Sequence, residues 1–451
     1  MLAAFVGRPP VPVPVSRAAP FGWSVAALLA LVTLVDRVEA NIVAGALPAV
    51  QEEFGIGDAA GGGLATAAAL AGLLLVIPAG RLADTRTRTR LLAFVVLSWS
   101  VLTLGSGVAT TFVFLLVMRV LLGAAAQMEQ PLVNSLIADY YPPKSRVRAY
   151  GIDKFAYFGG LPLGVVLGGV LTQAFGWRAA FFAVAIPGVV IAFLVSRMRE
   201  PARGIGDRIG ALTGVAAGEA VPAQSNQQES LPPEQPPIRK VFAELWSVRT
   251  YRYVIVGLAI TFFGTAGLFF WLPSYLSRTQ GLEEGAAAAI AGSVGFFGIL
   301  VGTVIGSWLG DRYHRVRPNW RLQLGGVGLL LFGINLAIAI LVPIFWLQVL
   351  LLFTTNCFSS AALPNLTAAV ADVIPARIRG LGFSATQFLL ILGGALGPGL
   401  VGLVSQLTGS LDVAFLALLI PITAGAVVVL AGRSGYDADA DAATTASLAT
   451  P

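Results

Sequence analysis

Seven charged side chains interrupt stretches of the sequence that are otherwise almost wholly apolar. They are Asp36, Arg37, Glu39, Arg119, Glu129, Asp153 and Lys154. Acidic groups in such positions can take up and release protons, and basic groups can bind an anion. A charge at the centre of a bilayer costs about 2.5–3.5 kcal/mol even on the most favourable scale, so these residues indicate a functional site.

Other reactive groups are scarce. The chain has one Cys, Cys357, and one His, His314, which excludes a disulfide framework, a multi-thiolate metal site and a histidine cluster. A membrane-embedded enzyme acting on lipid needs a nucleophile with a base or a metal, so that class is disfavoured. No cofactor and no metal are expected. A channel is disfavoured because the intramembrane charges form no ring.

The composition indicates an integral membrane protein. Of the 451 residues, 56% are hydrophobic and 12% are charged, whereas a soluble protein carries roughly 25% charged residues. Apolar runs of about 20 residues, enough to cross a bilayer, recur twelve times. The first six lie near 22–50, 61–80, 91–109, 111–138, 149–174 and 178–196. The second six lie near 253–277, 286–310, 322–343, 344–370, 380–406 and 411–432.

The sequence between the two sets of spans differs in kind. It is rich in Gly, Pro, Gln and charge, which predicts a flexible linker that ends in a short amphipathic helix near 241–248. The predicted division is a cytosolic arm at 1–20, an N-terminal six-helix bundle at 21–199, the cytosolic linker at 200–249, a C-terminal six-helix bundle at 250–433 and a disordered cytosolic tail at 434–451.

Basic residues are concentrated on one side of the predicted spans. Of 29 Lys and Arg residues, 24 fall in the termini, the linker and the loops on their side. Cytoplasmic loops of membrane proteins are enriched in these residues. The pattern predicts a multi-pass protein of the cell membrane with both termini in the cytosol, and it accounts for the net charge of +6 without a nucleic-acid partner.

The two halves of the chain repeat one another. The pattern Ala-Asp-x-x-Pro occurs at 138–142 and at 371–375, and the segment 82–84 with the arginines after it matches 309–311. A parallel repeat of six spans predicts an all-α membrane protein. Its twelve transmembrane helices would form two six-helix bundles related by a pseudo-two-fold axis along the membrane normal.

The intramembrane charges are distributed unequally between the repeats. All seven lie in the first half, and their counterparts in the second half are neutral. A fold that needed the charges should hold them in both halves, so we favour a functional role. In the second half, we expect a mostly apolar wall of the substrate cavity with few polar groups. Its residues would be Phe262, Phe263, Phe270, Asn335 and Asn356. The alternative is that most of these aromatic side chains face lipid.

The spacing of the charges limits which of them can pair. Arg119 and Glu129 are ten residues apart, which is about 15 Å along a helix, so they are not expected to touch. Glu129 and Lys154 lie at similar distances from the cytosolic ends of their predicted spans, which would allow a contact between them. It would be either a permanent structural pair or one that separates when Glu129 takes up a proton.

The remaining charges each allow two interpretations. Arg37 is expected either to neutralise Asp36 or to meet an anionic lipid or substrate group. Asp153 is a further proton-coupling candidate, although solvation in a cytosolic cavity is the favoured interpretation. Asp36 or Glu39 would be the second proton-carrying group.

Three segments resemble the major facilitator superfamily over most of the chain. The run Gly80-Arg-Leu-Ala-Asp84-Thr-Arg86-Thr-Arg88 is similar to the loop signature G-x-x-x-D-R-x-x-R, and Gly176-Trp177-Arg178 is similar to the entry to the family's sixth helix. Within the superfamily, 43–54 in span 1 resembles the Spinster-type transporters, which move sphingolipids or lysolipids.

The resemblance implies a secondary transporter that works by alternating access. We expect a monomer among membrane lipids that moves a small amphiphile such as a lysophospholipid or sphingolipid, coupled to protons, with the head group near Arg37 and Arg119. The alternative is proton-driven efflux of lipophilic cations, with Asp36, Glu39 or Glu129 as the counter-charge. A conformational latch at the cytosolic helix ends is expected from Gly80, Asp84, Arg88, Asp311 and Arg315.

Overall fold

The computed structural model describes residues 21–202, 205, 238–314, 319–374 and 379–448. All regular structure in these segments is helical, which confirms the predicted all-α class. The predicted arm at 1–20 and most of the predicted linker lie outside the described residues.

Seven helices form the first half of the described chain. They are α1 (Ser24–Phe54), α2 (Asp58–Thr85), α3 (Arg88–Gly107), α4 (Phe112–Ala126), α5 (Glu129–Tyr140), α6 (Pro143–Phe175) and α7 (Trp177–Ser196). α4 and α5 share one predicted span, because the helix is interrupted at Gln127 and Met128.

Eight further α-helices follow in the described residues. They are α8 (Ile238–Ser247), α9 (Arg249–Gln280), α10 (Glu284–His314), α11 (Trp320–Leu341), α12 (Phe345–Val373), α13 (Arg379–Thr408), α14 (Leu411–Ala431) and α15 (Tyr436–Leu448). α8 confirms the predicted short amphipathic helix. Phe242 and Trp246 stack on its exposed side, and Leu245 is buried.

The helix count agrees with twelve membrane crossings. Ten described segments are long and apolar enough to span a membrane. α1 is also long enough, with 31 residues, but carries Asp36, Arg37 and Glu39 near its centre. α2 is apolar over Asp58–Leu74.

The described residues group into two compact units. The first unit draws on Met1–Ala46 and Ala71–Glu234, and the second on Leu47–Leu70 and Gln235–Pro451. These units differ from the predicted bundles because the end of α1 and the start of α2 belong to the second unit. Hydrogen bonds within that unit explain the grouping; for example, the backbone N–H of Gly399 donates to the hydroxyl of Thr66 at 3.0 Å.

The prediction of a disordered tail at 434–451 is wrong for the residues of α15. Tyr436 is fully buried, and its hydroxyl donates to Oδ2 of Asp372 at 2.6 Å. Asp439 accepts a hydrogen bond of 2.7 Å from the backbone N–H of Thr250. These contacts anchor a segment whose polar sequence alone does not suggest packing.

Glycines bring α1 and α6 into close contact. Gly160, Gly164 and Gly168 recur every four residues and therefore lie on one face of α6. A Cβ atom at Gly164 would lie 2.4 Å from the carbonyl oxygen of Val38, and one at Gly168 would lie 2.3 Å from that of Ile42. The absence of side chains therefore allows the charged segments of the two helices to meet.

Gly168→Ala is expected to destabilise the first unit. The new methyl group meets the backbone carbonyl of Ile42, and overpacking of this kind costs about 1–3 kcal/mol. The thermal unfolding midpoint in detergent should fall by several degrees. Gly151→Ala in the same helix is the matched control, because nothing lies within 4 Å of its added Cβ. Equal midpoints for the two variants would contradict this packing.

Candidate functional site

The seven intramembrane charged residues predicted from the sequence lie on four helices of the first unit. Asp36, Arg37 and Glu39 belong to α1, Arg119 to α4, Glu129 to α5, and Asp153 and Lys154 to α6. The four carboxylates and Arg119 are at most 3% exposed. The side chain of Arg37 is 17% exposed and that of Lys154 is 46% exposed. The fold therefore gathers the candidate proton carriers away from solvent.

Arg37 neutralises Asp36, which is the first of its two predicted interpretations. The two side chains form an ion pair within α1. The guanidinium also lies over the ring of Tyr157 in α6, 4.9 Å from the ring centre, and the ammonium of Lys154 lies 5.3 Å from the same centre. The Tyr157 ring therefore makes a cation–π contact with both basic groups.

The predicted contact between Glu129 and Lys154 is indirect. Lys154 Nζ donates to Oε1 of Gln130 at 2.9 Å, and Gln130 Nε2 donates to Oε2 of Glu129 at 3.0 Å. The direct pair is wrong for this conformation because Lys154 lies beside Asp153, with Nζ 3.2 Å from Oδ2. Gln130, which the sequence did not single out, connects the two groups.

The favoured interpretation of Asp153 as a solvated residue is wrong. Its side chain is fully buried. Oδ1 lies 2.7 Å from the hydroxyl oxygen of Thr33 in α1, and the same hydroxyl oxygen lies 2.8 Å from Oε1 of Glu129. Two carboxyl groups from different helices thus meet at one threonine.

Arg119 contacts the backbone of α1. Its Nη2 donates to the carbonyl oxygen of Glu39 at 3.1 Å, and its guanidinium lies 5.1 Å from the ring centre of Phe181. Within the described part of the chain, Arg119 Nη1 and Glu39 Oε1 are buried without a hydrogen-bond partner. Arg119 is therefore a buried cation that can still accept an anionic partner.

The second unit places its predicted polar residues in contacts between or within helices. Asn335 Nδ2 donates to the hydroxyls of Thr354 and Thr355, each at 2.8 Å, and Asn356 Nδ2 donates to the carbonyl oxygen of Leu352 at 2.8 Å. The aromatic residues predicted for the same wall are partly buried: Phe262, Phe263 and Phe270. A substrate-binding role for all five residues stays a prediction.

Arg88 makes all of its described contacts inside the first unit. It is 1% exposed, forms an ion pair with Asp139, and donates at 2.8 Å to both Ser135 Oγ and Glu200 Oε1. Burial opposes ionisation of Glu200, but hydrogen bonds from the Thr89 backbone and from Arg88 outweigh it and lower the pKa of Glu200. Arg88 thereby fixes the start of α3 to the segment after α7.

The structure gives fewer contacts for the other residues of the predicted latch. Gly80 and Asp84 lie within α2, and Arg315 lies outside the described residues. Asp311 is exposed near the end of α10, with Oδ1 3.8 Å from Nη2 of Arg321. The latch stays a prediction.

Arg321 is the structural counterpart of Arg88. It forms an ion pair with Asp372 at 3.1 Å, as Arg88 does with Asp139. Arg321 follows Arg88 by 233 residues, and Asp372 follows Asp139 by the same 233. The sequence analysis matches the arginines after 82–84, Arg88 among them, with those after 309–311, which include Arg315. The ion pairs correct this assignment for Arg88.

A second ion-pair cluster lies within the second unit. The carboxylate of Asp58, at the start of α2, accepts two hydrogen bonds of 2.8 Å from Arg278 in α9. It also accepts from Ser405 Oγ at 2.6 Å and from Gln51 Nε2 at 2.8 Å. This two-point geometry is the strong form of a carboxylate–guanidinium pair.

Arg278→Gln and Asp58→Asn are each expected to lower the thermal unfolding midpoint by a few degrees. Each leaves a charged partner with lost hydrogen bonds, which costs more than losing both. The double variant should therefore melt no lower than the worse single variant. Arg252→Gln, on an exposed residue of α9, is the control. Additive losses in the double variant would show that the two residues act independently.

The fold and the buried charges define a polytopic helical membrane protein with an ionisable centre in its first half. The family model of the Major Facilitator Superfamily matches residues 29–357. The chain therefore belongs to the major facilitator superfamily, and it is a membrane transporter, not an enzyme.

Relatives of this chain include carriers of aromatic acids. A gallate transporter of Pseudomonas putida is 27% identical over 94% of this chain and 96% of its own length. A 4-hydroxybenzoate transporter of Pseudomonas aeruginosa is 28% identical over 85% of this chain and 87% of its own.

A solved structure supports the predicted resemblance in fold. A bacterial homolog of the human lysosomal transporter Spinster, in an inward-facing and unoccupied conformation, has a TM-score of 0.75 and 22% identity. The match covers 94% of this chain and 98% of that structure. At this level of identity the likeness concerns the fold alone.

Proposed function

We propose that this transporter moves a small organic anion with a carboxylate group, coupled to protons, by alternating access. The observation that carries the proposal is Arg119, whose guanidinium is buried, donates to a backbone carbonyl and lies over an aromatic ring. The Glu39 carboxylate interacts with this cation electrostatically, but Nη1 has no hydrogen-bond partner within the described residues. A buried cation costs free energy unless an anion pairs with it. A substrate carboxylate would supply a hydrogen-bonded anion at Nη1, and the planar guanidinium suits it.

The relatives support this class of substrate. Gallate and 4-hydroxybenzoate each combine one carboxylate with an aromatic ring, and their carriers align with this chain over most of its length. A carboxylate substrate would reach Arg119 at the α1–α4 contact. Glu39, which interacts with Arg119, and Glu129, farther along the same span as Arg119, are the groups that can exchange protons as the substrate moves.

The two substrate classes predicted from the sequence, amphiphilic lipids and lipophilic cations, remain alternatives to the organic anion. An amphiphilic lipid such as a lysophospholipid also offers an anionic group to Arg119. Lipophilic cations would instead use the carboxyl oxygen of Glu39 that has no hydrogen-bond partner within the described residues. Location in the cell membrane, with both termini and 200–249 in the cytosol, stays a prediction.

Counterflow exchange with purified protein in liposomes separates these substrates. Liposomes are loaded with unlabelled 4-hydroxybenzoate, and entry of the labelled acid is followed. Unlabelled gallate should compete for entry, whereas lysophosphatidylcholine and a cationic dye should not. Protein-free liposomes measure passive permeation. Competition only by the lysolipid, or only by the dye, would contradict the proposed substrate class.

A further inference from the structure

The hydroxyl of Thr33 lies between two carboxyl groups. Its Oγ1 is 2.8 Å from Oε1 of Glu129 and 2.7 Å from Oδ1 of Asp153. All three side chains are fully buried, and they come from α1, α5 and α6. Both distances are those of a hydrogen bond between oxygen atoms.

The number of hydrogen atoms available to the three side chains determines whether one of the two carboxyl groups is protonated. A threonine hydroxyl carries one hydrogen, and an ionised carboxylate can only accept. Thr33 can therefore donate to only one of the two carboxylates. At the other contact the hydrogen must come from the carboxyl group, because two oxygen atoms without a hydrogen between them repel at such a distance.

We propose that Thr33 joins Glu129 and Asp153 into one proton-binding site that holds a single shared proton. In the favoured state Glu129 is protonated and donates to Thr33, while Thr33 donates to Asp153. The ammonium of Lys154, 3.2 Å from Asp153 Oδ2, stabilises the ionised form of Asp153. The role of this site in coupling rests on the proposed function, whereas its protonation does not.

The surrounding charges support one bound proton. The groups that interact with the pair are Asp36 and Arg37 from α1, Gln130 beside Glu129, and Tyr150 and Lys154 from α6. Tyr157 contacts Lys154. With Glu39 and Arg119, the first unit holds four intramembrane carboxylates and three basic groups. One proton on the pair makes this set neutral, which lowers the cost of burying it.

The site also provides a transfer step between α5 and α6. The O–H bond of Glu129 breaks as its hydrogen moves to Thr33 Oγ1. The original O–H bond of Thr33 breaks as that hydrogen moves to Asp153 Oδ1. Thr33 is unchanged, and one proton has passed from Glu129 to Asp153. Asp153 lies beside Lys154, the most exposed of the seven intramembrane charged side chains.

Infrared spectroscopy of the full-length protein in lipid nanodiscs tests the site. At neutral pH the wild type should show one C=O band of a protonated carboxyl group, identified by its shift in D₂O. Both Glu129→Gln and Asp153→Asn should lose this band. In each variant the remaining carboxylate can accept the Thr33 hydrogen, so it no longer needs a proton. Thr33→Ser should keep the band, and Thr33→Val should move it.

The outcomes separate the site from the proposed function. A band that persists in Asp153→Asn and disappears only in Glu129→Gln would overturn the shared proton, because Glu129 would then bind it alone. No band in the wild type would overturn it as well. Loss of the band in both variants supports the site even if no organic acid is transported, and in that case only the proposed function fails.

Discussion

Arg119→Leu is expected to abolish transport of a carboxylate substrate while the protein remains folded. The guanidinium is buried, and its Nη1 has no hydrogen-bond partner within the described residues. Removing one member of a buried, hydrogen-bonded charge pair costs about 2–5 kcal/mol, and about 1.4 kcal/mol is a factor of ten in affinity. Binding of labelled 4-hydroxybenzoate to purified protein should weaken by about 30-fold or more.

Arg178→Leu is the matched control for this variant. Arg178 also donates to a backbone carbonyl, that of Ala109 at 2.8 Å, and its guanidinium lies 4.3 Å from the ring centre of Trp177. It lies at the start of α7, outside the buried cluster, so substrate affinity should stay near that of the wild type. Unchanged affinity in Arg119→Leu, with both variants folded, would remove the main support for the proposed substrate site.

Glu129→Gln is expected to abolish accumulation driven by a pH gradient while preserving substrate exchange. Gln mimics a carboxyl group that never releases its proton, and it can keep hydrogen bonds to Thr33 and Gln130. For one proton moved with one monoanion, a gradient of one pH unit supports about tenfold accumulation. The variant should reach no accumulation, whereas its counterflow rate should remain within a few-fold of the wild type.

Glu52→Gln controls for the loss of a carboxylate in the same experiment. Glu52 is an exposed residue near the end of α1, far along the helix from the buried cluster. Its replacement should leave accumulation unchanged. If Glu129→Gln accumulates substrate as the wild type does, Glu129 has a structural role and the proton passes elsewhere.

The location of the seven charged residues within the apolar spans could be predicted from the sequence. A charged residue within an apolar stretch stands out, and the neutral counterparts in the second half argue against a purely structural role. The inference that Arg119 and Glu129 do not pair followed from helix geometry. A close helix contact along α6 was also foreseeable, because its glycines recur every four residues, although the partner helix was not.

The partners of those charges could not be predicted in the same way. Thr33 and Gln130 are uncharged, so nothing in the composition distinguishes them from other polar residues. Helical periodicity gives the face on which a side chain lies, but not which face of another helix meets it. For that reason Lys154 was paired with Glu129, whereas in the structure Gln130 lies between them.

The internal repeat contained more information than the motif comparison used. The offset of 233 residues between Asp139 and Asp372, applied to Arg88, gives Arg321. Both pairs form ion pairs in the structure. The Arg-rich loop motif led instead to Arg315, because a loop can change length without changing the helices that it joins.

Proton-coupled transport of a carboxylate is tested by measuring proton and substrate movement in the same liposomes. Liposomes that contain the protein and an internal pH dye are exposed to an inward gradient of labelled 4-hydroxybenzoate, with protein-free liposomes as the background. Label entry and internal acidification are expected to rise together above background in the wild type, and Glu129→Gln is expected to lose the acidification under net uptake. Label that enters above background without any movement of protons would contradict proton-coupled transport.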